Sequence, residues 1–277
     1  MPHRSLIGLV AAVVAIALAI TITRAHDDKK YPDWSGQWSR TGGIQWDTSK
    51  PLGRGQQAPL TPEYQAIFAA SLADQARGGQ GNDLRFTCLP PGMPRIMSVI
   101  FPMEFIILPN ATYILFENNM PRRIYTDGRG WPENFEPAFS GYSIGKWLDE
   151  DADGRYDVLE VETRNMKGPR AYEASGLPLH SDNQTVVRER IYLDKADPNI
   201  LHDDITTIDN ALTRPWTVAK KYRRTRDPVW SDYDCNEGNQ HVAIGKESYF
   251  LSAEGFLMPT KKNQPPPDLR YFSQVRK

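Results

Sequence analysis

The sequence predicts a mainly β protein, an antiparallel up-and-down barrel of eight or nine strands with one N-terminal helix. Three observations predict it. The 22 prolines and 20 glycines in 277 residues are too many for a helical bundle. Seven tryptophans, twelve tyrosines and ten phenylalanines favour strands, where broad rings pack on a pleated surface. From Cys88 onward, short apolar or alternating runs are broken by turn residues at close spacing, the pattern of a meander. The near balance of 33 basic and 34 acidic residues excludes a basic nucleic-acid binder and an acidic disordered tail as the main function.

Residues 1–25 read as an export signal: Arg4, an uncharged apolar run from Leu6 to Ile22, then Thr23 and Ala25 as small residues at a cleavage site. The run is also near the lower limit for a spanning helix, so an uncleaved anchor is the other reading. Cleavage removes Arg4 and Arg24, takes the formal charge from −1 to −3, and leaves a periplasmic or secreted chain with no membrane span.

Residues 26–87 form an N-terminal arm and helix. The Trp-, Gly- and Pro-rich part, beginning with Asp33 to Trp38, reads as an arm lying on a core. A helix is expected from Leu60 to Arg77, with Thr61 as cap, Pro62 in the first turn and Gly78-Gly79 as stop. The barrel is expected over 88–235, with strands near 95–101, 103–108, 111–118, 122–127, 141–148, 156–165, 184–193, 200–209 and 216–224. Asp127-Gly128 and Asp194 to Asn199 suit hairpin connections. Closure removes exposed edges and favours a barrel over an open sandwich. Residues 236–277 read as a tail packed on the barrel.

Export bears on Cys88 and Cys235. In an oxidising compartment two such thiols pair and close a long loop; two buried free cysteines are the alternative. Neither sits in a Cys-x-x-Cys, which argues against redox catalysis.

The strongest local motif runs from Asp149 to Glu160 and matches D-x-D-x-D-G with Glu at the twelfth place. Its flanks read as strands rather than helices, so Glu160 is expected to point away. Calcium would then be held by Asp149, Asp151, Asp153, the Arg155 carbonyl and Asp157, as a structural ion; a solvated acidic hairpin tip is the alternative. Gly141-Tyr-Ser143-Ile-Gly145 fits the nucleophile-elbow string but lacks the strand-to-helix context, and reads better as close packing in a strand. The histidines lack metal spacing, and no nucleotide or haem cofactor is indicated. His180 lies in a loop where a barrel places mouth residues, as a ligand contact or a loop brace.

Period-two arithmetic supplies the remaining candidates. Glu189 shares a face with Val187, Ile191 and Leu193 and is expected to point inward, as is Glu117 after Tyr113 and Leu115. In the next strand Ile200, His202, Asp204, Thr206 and Ile208 alternate together. Arg122, Arg123 and Tyr125 stand before a turn, and Trp216 shares a face with Val218, Lys220 and Tyr222. Arg122, Arg123, Tyr125, His180, His202 and Trp216 are therefore candidate ligand contacts. Glu117, Glu189, Asp204 and His180 are candidate acid/base groups. An internal salt-bridge network that fixes strand register explains the same pattern.

Cys88-Leu-Pro-Pro-Gly-Met-Pro94, Pro102-Met-Glu-Phe105, the segments Arg122 to Arg129 and Gly141 to Trp147, Leu159-Glu-Val-Glu-Thr163, Leu179-His-Ser181, Glu189-Arg190 and Arg214-Pro-Trp216 resemble a family of exported bacterial proteins of unassigned function, over most of residues 33–275. The resemblance implies a lipocalin-like barrel and transfers no catalytic residue. Where members of that family carry a short Trp-Glu-Gly-Asp turn, this chain carries the longer acidic loop.

Three functions fit. The first is an exported barrel that binds a small, partly apolar molecule, with structural calcium. The second is an acid/base hydrolase, lyase or isomerase on the same scaffold. The third is a cell-envelope interaction protein that uses its aromatic arm and Pro-rich tail.

Overall fold

Nine strands close on themselves in sequence order: β1 Gln37–Arg40, β2 Met103–Leu108, β3 Ala111–Phe116, β4 Asn119–Tyr125, β5 Tyr142–Leu148, β6 Val158–Arg164, β7 Val186–Leu193, β8 Ile200–Ile208 and β9 Trp216–Thr225. The computed structural model describes residues 28–41, 58–98, 100–231, 241–244, 247–252 and 255–268. The export segment and Cys235 lie outside the described residues.

Closure depends on the arm. β1 pairs antiparallel with β9 over four residues and with β2 over two, so the segment expected to lie on the core instead completes it. Trp34 and Trp38 are buried, and Trp38 donates Nε1–H to the Trp34 carbonyl at 3.0 Å. Residues 95–101, expected as the first strand, instead hold a 3-10 turn over Arg95–Ser98 whose four residues are all buried. Being covered on every side, this turn shows no alternation that could separate it from a strand.

The barrel is mixed. Every neighbouring pair is antiparallel except β4 and β5, which run parallel and meet only at Ile124–Ser143 and Tyr125–Ile144. Asp127-Gly128 is therefore not a hairpin; the chain leaves β4 there and returns at Gly141. Gly141 has φ +66°, and a Cβ on it would stand 2.5 Å from the Arg164 carbonyl oxygen. A Cβ on Gly145 would stand 2.7 Å from Ile124 Cγ2. Gly145 lets β5 approach β4 at this seam and Gly141 lets it approach the end of β6, and Ser143 between them lies within a strand, not on an elbow.

The helix α1, Pro62–Gln75, starts as expected: Thr61 caps it, accepting from the Tyr64 N–H at 3.4 Å, with Pro62 in the first turn. The tail forms a small antiparallel sheet of β10 His241–Ile244, β11 Glu247–Leu251 and β12 Leu257–Pro259. It is fastened beyond the end of α1, where the Lys262 N–H donates to the Arg77 carbonyl at 2.9 Å and Gln80 donates to Ser248 at 2.8 Å. Among the described residues no helix is long and apolar enough to cross a membrane.

The lumen is packed at both ends. At one end Trp34 stacks edge-on against Phe105 at 5.0 Å and tilts against Trp147 at 4.9 Å. At the other, residues 88–98 and 165–179 form a plug. Met93, Ile96, Met97, Met166, Tyr172 and Leu177 are buried there, Tyr222 on β9 donates its hydroxyl to the Met97 carbonyl at 2.6 Å, and Tyr172 packs on Trp216 at 4.7 Å.

Candidate functional site

Among the described residues, two of the buried polar groupings bear on a candidate site. The first lies behind the seam. Arg122 turns inward from β4 and donates Nη1–H to Glu189 Oε1 at 2.7 Å and Nη2–H to Glu189 Oε2. Nη2–H also reaches Thr163 Oγ1 at 2.9 Å, and the Ser143 and Thr163 hydroxyls bond each other at 2.8 Å. Arg122, Glu189, Ser143 and Thr163 are all buried. Both Glu189 oxygens are held by one guanidinium, so the group is a satisfied pair rather than a poised base. Nearby, Asp203 faces Lys220 across β8 and β9. It is fully buried, and neither carboxylate oxygen has a hydrogen-bond partner among the described residues. Burial, and then repulsion from Glu189, pushes its carboxyl well above the usual range.

The second grouping lies in the plug and opens into a cleft of about 200 Å³, lined by Arg85, Arg95, Ser98, Ile100, Phe101, Asn118, Glu173 and Ala174. The 3-10 turn sets Arg95 and Ser98, the turn between β3 and β4 sets Asn118, and the loop before β7 sets Glu173. Arg95 is buried and pairs with Asp83 at 2.7 Å. Glu173 is buried and accepts from the Ser175 N–H at 2.8 Å and from its hydroxyl; burial pushes its carboxyl up against the opposing influence of Ser175, Arg95 and Lys220. Ser98 is 4% exposed, yet its hydroxyl has no partner among the described residues, and the Asn118 Nδ2 is likewise unmet. A cleft bounded by apolar side chains, two guanidiniums and unmet buried polar atoms has the composition of a small-molecule site.

The expected candidates scatter. Glu189 and Arg122 meet inside as described. Arg123 and Tyr125 face outward, where the Arg123 guanidinium lies 5.7 Å from the Tyr125 ring and Tyr125 stacks on Tyr142 at 4.9 Å. Glu117 also faces outward and accepts from the Ser231 hydroxyl. β8 has the opposite phase from that expected: Leu201, Asp203, Ile205 and Thr207 are buried, while His202 and Asp204 lie on the outer face. There His202 bonds Asp194 at 2.9 Å, holding that carboxyl down to about 2, and Tyr192 donates to Asp204 at 3.2 Å. Trp216 is buried against the plug. His180 braces its own loop, accepting at Nδ1 from the Asp182 N–H at 3.1 Å. The inward acid/base set of Glu117, Glu189 and Asp204 therefore does not assemble.

In the acidic loop, Asp149, Asp151 and Asp153 bring one carboxylate oxygen each within 4.8 Å of one another. Asp157 instead accepts from the Glu150 N–H at 3.1 Å. Glu160 points outward from β6, 3.8 Å from Arg190. Among the described residues no cysteine is a free thiol; Cys88 caps the turn Leu84–Thr87, and its expected partner Cys235 lies outside them.

Sequence reasoning missed Arg95, Ser98, Glu173 and Asp203. Arg95 and Ser98 sat in a segment read as strand, and Glu173 in a loop with no period. Comparison of the chain with protein-family models, with curated proteins and with solved structures finds no match.

Proposed function

We propose that this chain is an exported β-barrel protein that binds a small, partly apolar molecule in the cleft of the plug, not in the central lumen. The observation that carries the reading is Ser98, a buried hydroxyl without a partner among the described residues, facing a cleft beside Arg95 and Glu173. A buried polar group left unmet costs about 1–3 kcal/mol, which a bound molecule offering a hydrogen bond recovers. Exposed Ile100 at the cleft supplies an apolar contact. The resemblance to exported barrel proteins supports the setting, and the three gathered carboxylates support calcium as a structural ion in the 149–157 loop.

Native mass spectrometry of the full chain, purified from its native envelope, tests the cleft. The expected result is a small organic adduct that is lost in Ala174→Trp, a substitution that fills the cleft from a half-buried position. An adduct that survives this substitution, or none in the wild type, overturns the assignment.

A further inference from the structure

Resting on that reading, we infer that the cleft selects small organic carboxylates, with the carboxylate against Arg85, Arg95, Ser98 and Asn118 and the apolar body against Ile100 and Phe101.

The hydrogen-bond inventory of the lining is one-sided. Each carboxylate or amide oxygen of its side chains already accepts a hydrogen bond: one Glu173 oxygen takes the Ser175 N–H and the other the Ser175 hydroxyl, and Asn118 Oδ1 accepts from Asn119 Nδ2 at 2.5 Å. Not all of its donors are engaged. Asn118 Nδ2 and the Ser98 hydroxyl, itself donor and acceptor, have no partner among the described residues, and Arg95 brings a guanidinium whose ion pair with Asp83 runs through Nη1 at 2.7 Å. Arg85 adds a second guanidinium, anchored through Nη1 to Asn119 Oδ1 at 2.8 Å. A ligand that meets the Asn118 amide beside two guanidiniums is favoured by acceptors and negative charge. A carboxylate brings two oxygens with four lone-pair directions, in the planar geometry a guanidinium matches.

Glu173 is the one acidic side chain of the lining. Burial pushes its carboxyl up, and the nearby positive charges of Arg95 and Lys220 offset its charge, which lessens its opposition to an anion.

Size and the apolar wall narrow the class. About 200 Å³ is below the roughly 300–1,000 Å³ typical of drug-sized pockets. Ile100 is 62% exposed beside Phe101, an apolar surface that a bare inorganic anion would leave wet. The fit is to a short-chain or single-ring acid.

Calorimetric titration of the full chain with sodium benzoate and sodium hexanoate, against benzamide, hexanamide and inorganic phosphate, tests the inference. Each acid should bind at least about tenfold more tightly than its amide, because charge-assisted hydrogen bonds are about twice as strong as neutral ones, and more tightly than phosphate, which leaves the apolar wall wet. Ser98→Ala should weaken the acids several-fold and leave the amides nearly unchanged, with a melting temperature close to wild type. Acid binding should vanish in Ala174→Trp. Amides as tight as acids, or phosphate as tight as benzoate, would overturn carboxylate selection while the cleft stands as a binding site. Failure of every probe would also overturn it, and the native adduct then decides the cleft separately. Acid affinity unchanged in Ala174→Trp would overturn both.

Discussion

Arg122 on β4 and Glu189 on β7, 67 residues apart, face each other across the barrel through two parallel hydrogen bonds and are both buried. The pair spans a thin part of the wall, the one parallel pairing of the barrel. β4 and β5 share only two residue pairs, so the ladder gives little cohesion there, and Arg122 ties β4 to β5 through Ser143, to β6 through Thr163 and to β7 through Glu189. The ion pair acts as the staple of the seam.

Breaking that staple on one side should be costly. Glu189→Gln or Arg122→Met leaves an unpaired buried charge or donor, an effect of about 3–5 kcal/mol, and thermal melting should fall by roughly 6–20 °C. Arg122→Met with Glu189→Leu should recover most of the loss, because two apolar side chains remove both desolvation penalties. A double variant that melts below either single variant would show that the pair supplies more than seam closure.

Asp203 gives the barrel a pH dependence of definite sign. Its folded carboxyl keeps a proton to higher pH than the unfolded one, so the folded state binds more protons and stability falls as pH rises above about 4, until the folded group itself ionises. Asp203→Asn removes this penalty. The variant should melt a few degrees above wild type at pH 8, with the difference closing toward pH 4. A variant that melts lower at pH 8 would show that an ionised Asp203 supports Lys220.

Whether a face could be read from sequence depended on how unequal the two faces of a strand are. Glu189 was legible because Val187 and Ile191 flank it while arginines occupy the other phase. In β8 both phases carry aliphatic and polar residues, Leu201, Asp203, Ile205 and Thr207 against Ile200, His202, Asp204, Thr206 and Ile208, so period two could not choose. Glu117 misled because Tyr113 and Leu115 sit on the outer face of β3. The parallel seam and β1 are long-range features: a four-residue strand paired with residues 103–104 and 222–225 leaves no local period. The cleft was illegible because its residues come from a 3-10 turn, the β3–β4 turn and a loop.

Closure by β1 predicts that the arm is indispensable. Trp38 is fully buried, and the Arg224 guanidinium lies 4.5 Å from its ring. Trp38→Ala should cost about 3–5 kcal/mol. Hydrogen exchange should show β2 and β9, the strands β1 joins, losing protection before β6 and β7. Uniform loss across the barrel would contradict a local closing role.

Pairing of Cys88 with Cys235 predicts one cross-linked peptide in a non-reducing digest. It also predicts a destabilisation on reduction of up to roughly 5 kcal/mol on the chain-entropy model. Two singly alkylated peptides from unreduced protein would refute it.

The acidic loop separates a calcium site from a solvated turn by its response to the ion. Without an ion the turn is already self-bonded: Asp149 accepts from the Asp153 N–H at 3.1 Å and the Gly154 N–H at 2.9 Å. Glu160, which would supply the bidentate ligand of a full calcium loop, points outward toward Arg190 instead. Three close carboxylates without that ligand fit the weak end of the range, a Kd of about 10⁻⁴–10⁻³ M. At 10 mM calcium a Kd near 10⁻⁴ M stabilises by about 2.7 kcal/mol, or roughly 5–11 °C in melting temperature, and a Kd near 10⁻³ M by about half of that. Magnesium at equal ionic strength should give a smaller shift, because it demands near-ideal octahedral geometry and sheds water reluctantly. Asp151→Asn with Asp153→Asn should abolish the calcium shift and leave melting in chelator within about 2 °C of wild type, since both residues are exposed. Equal melting of the wild type in chelator and in calcium would identify the loop as a solvated turn.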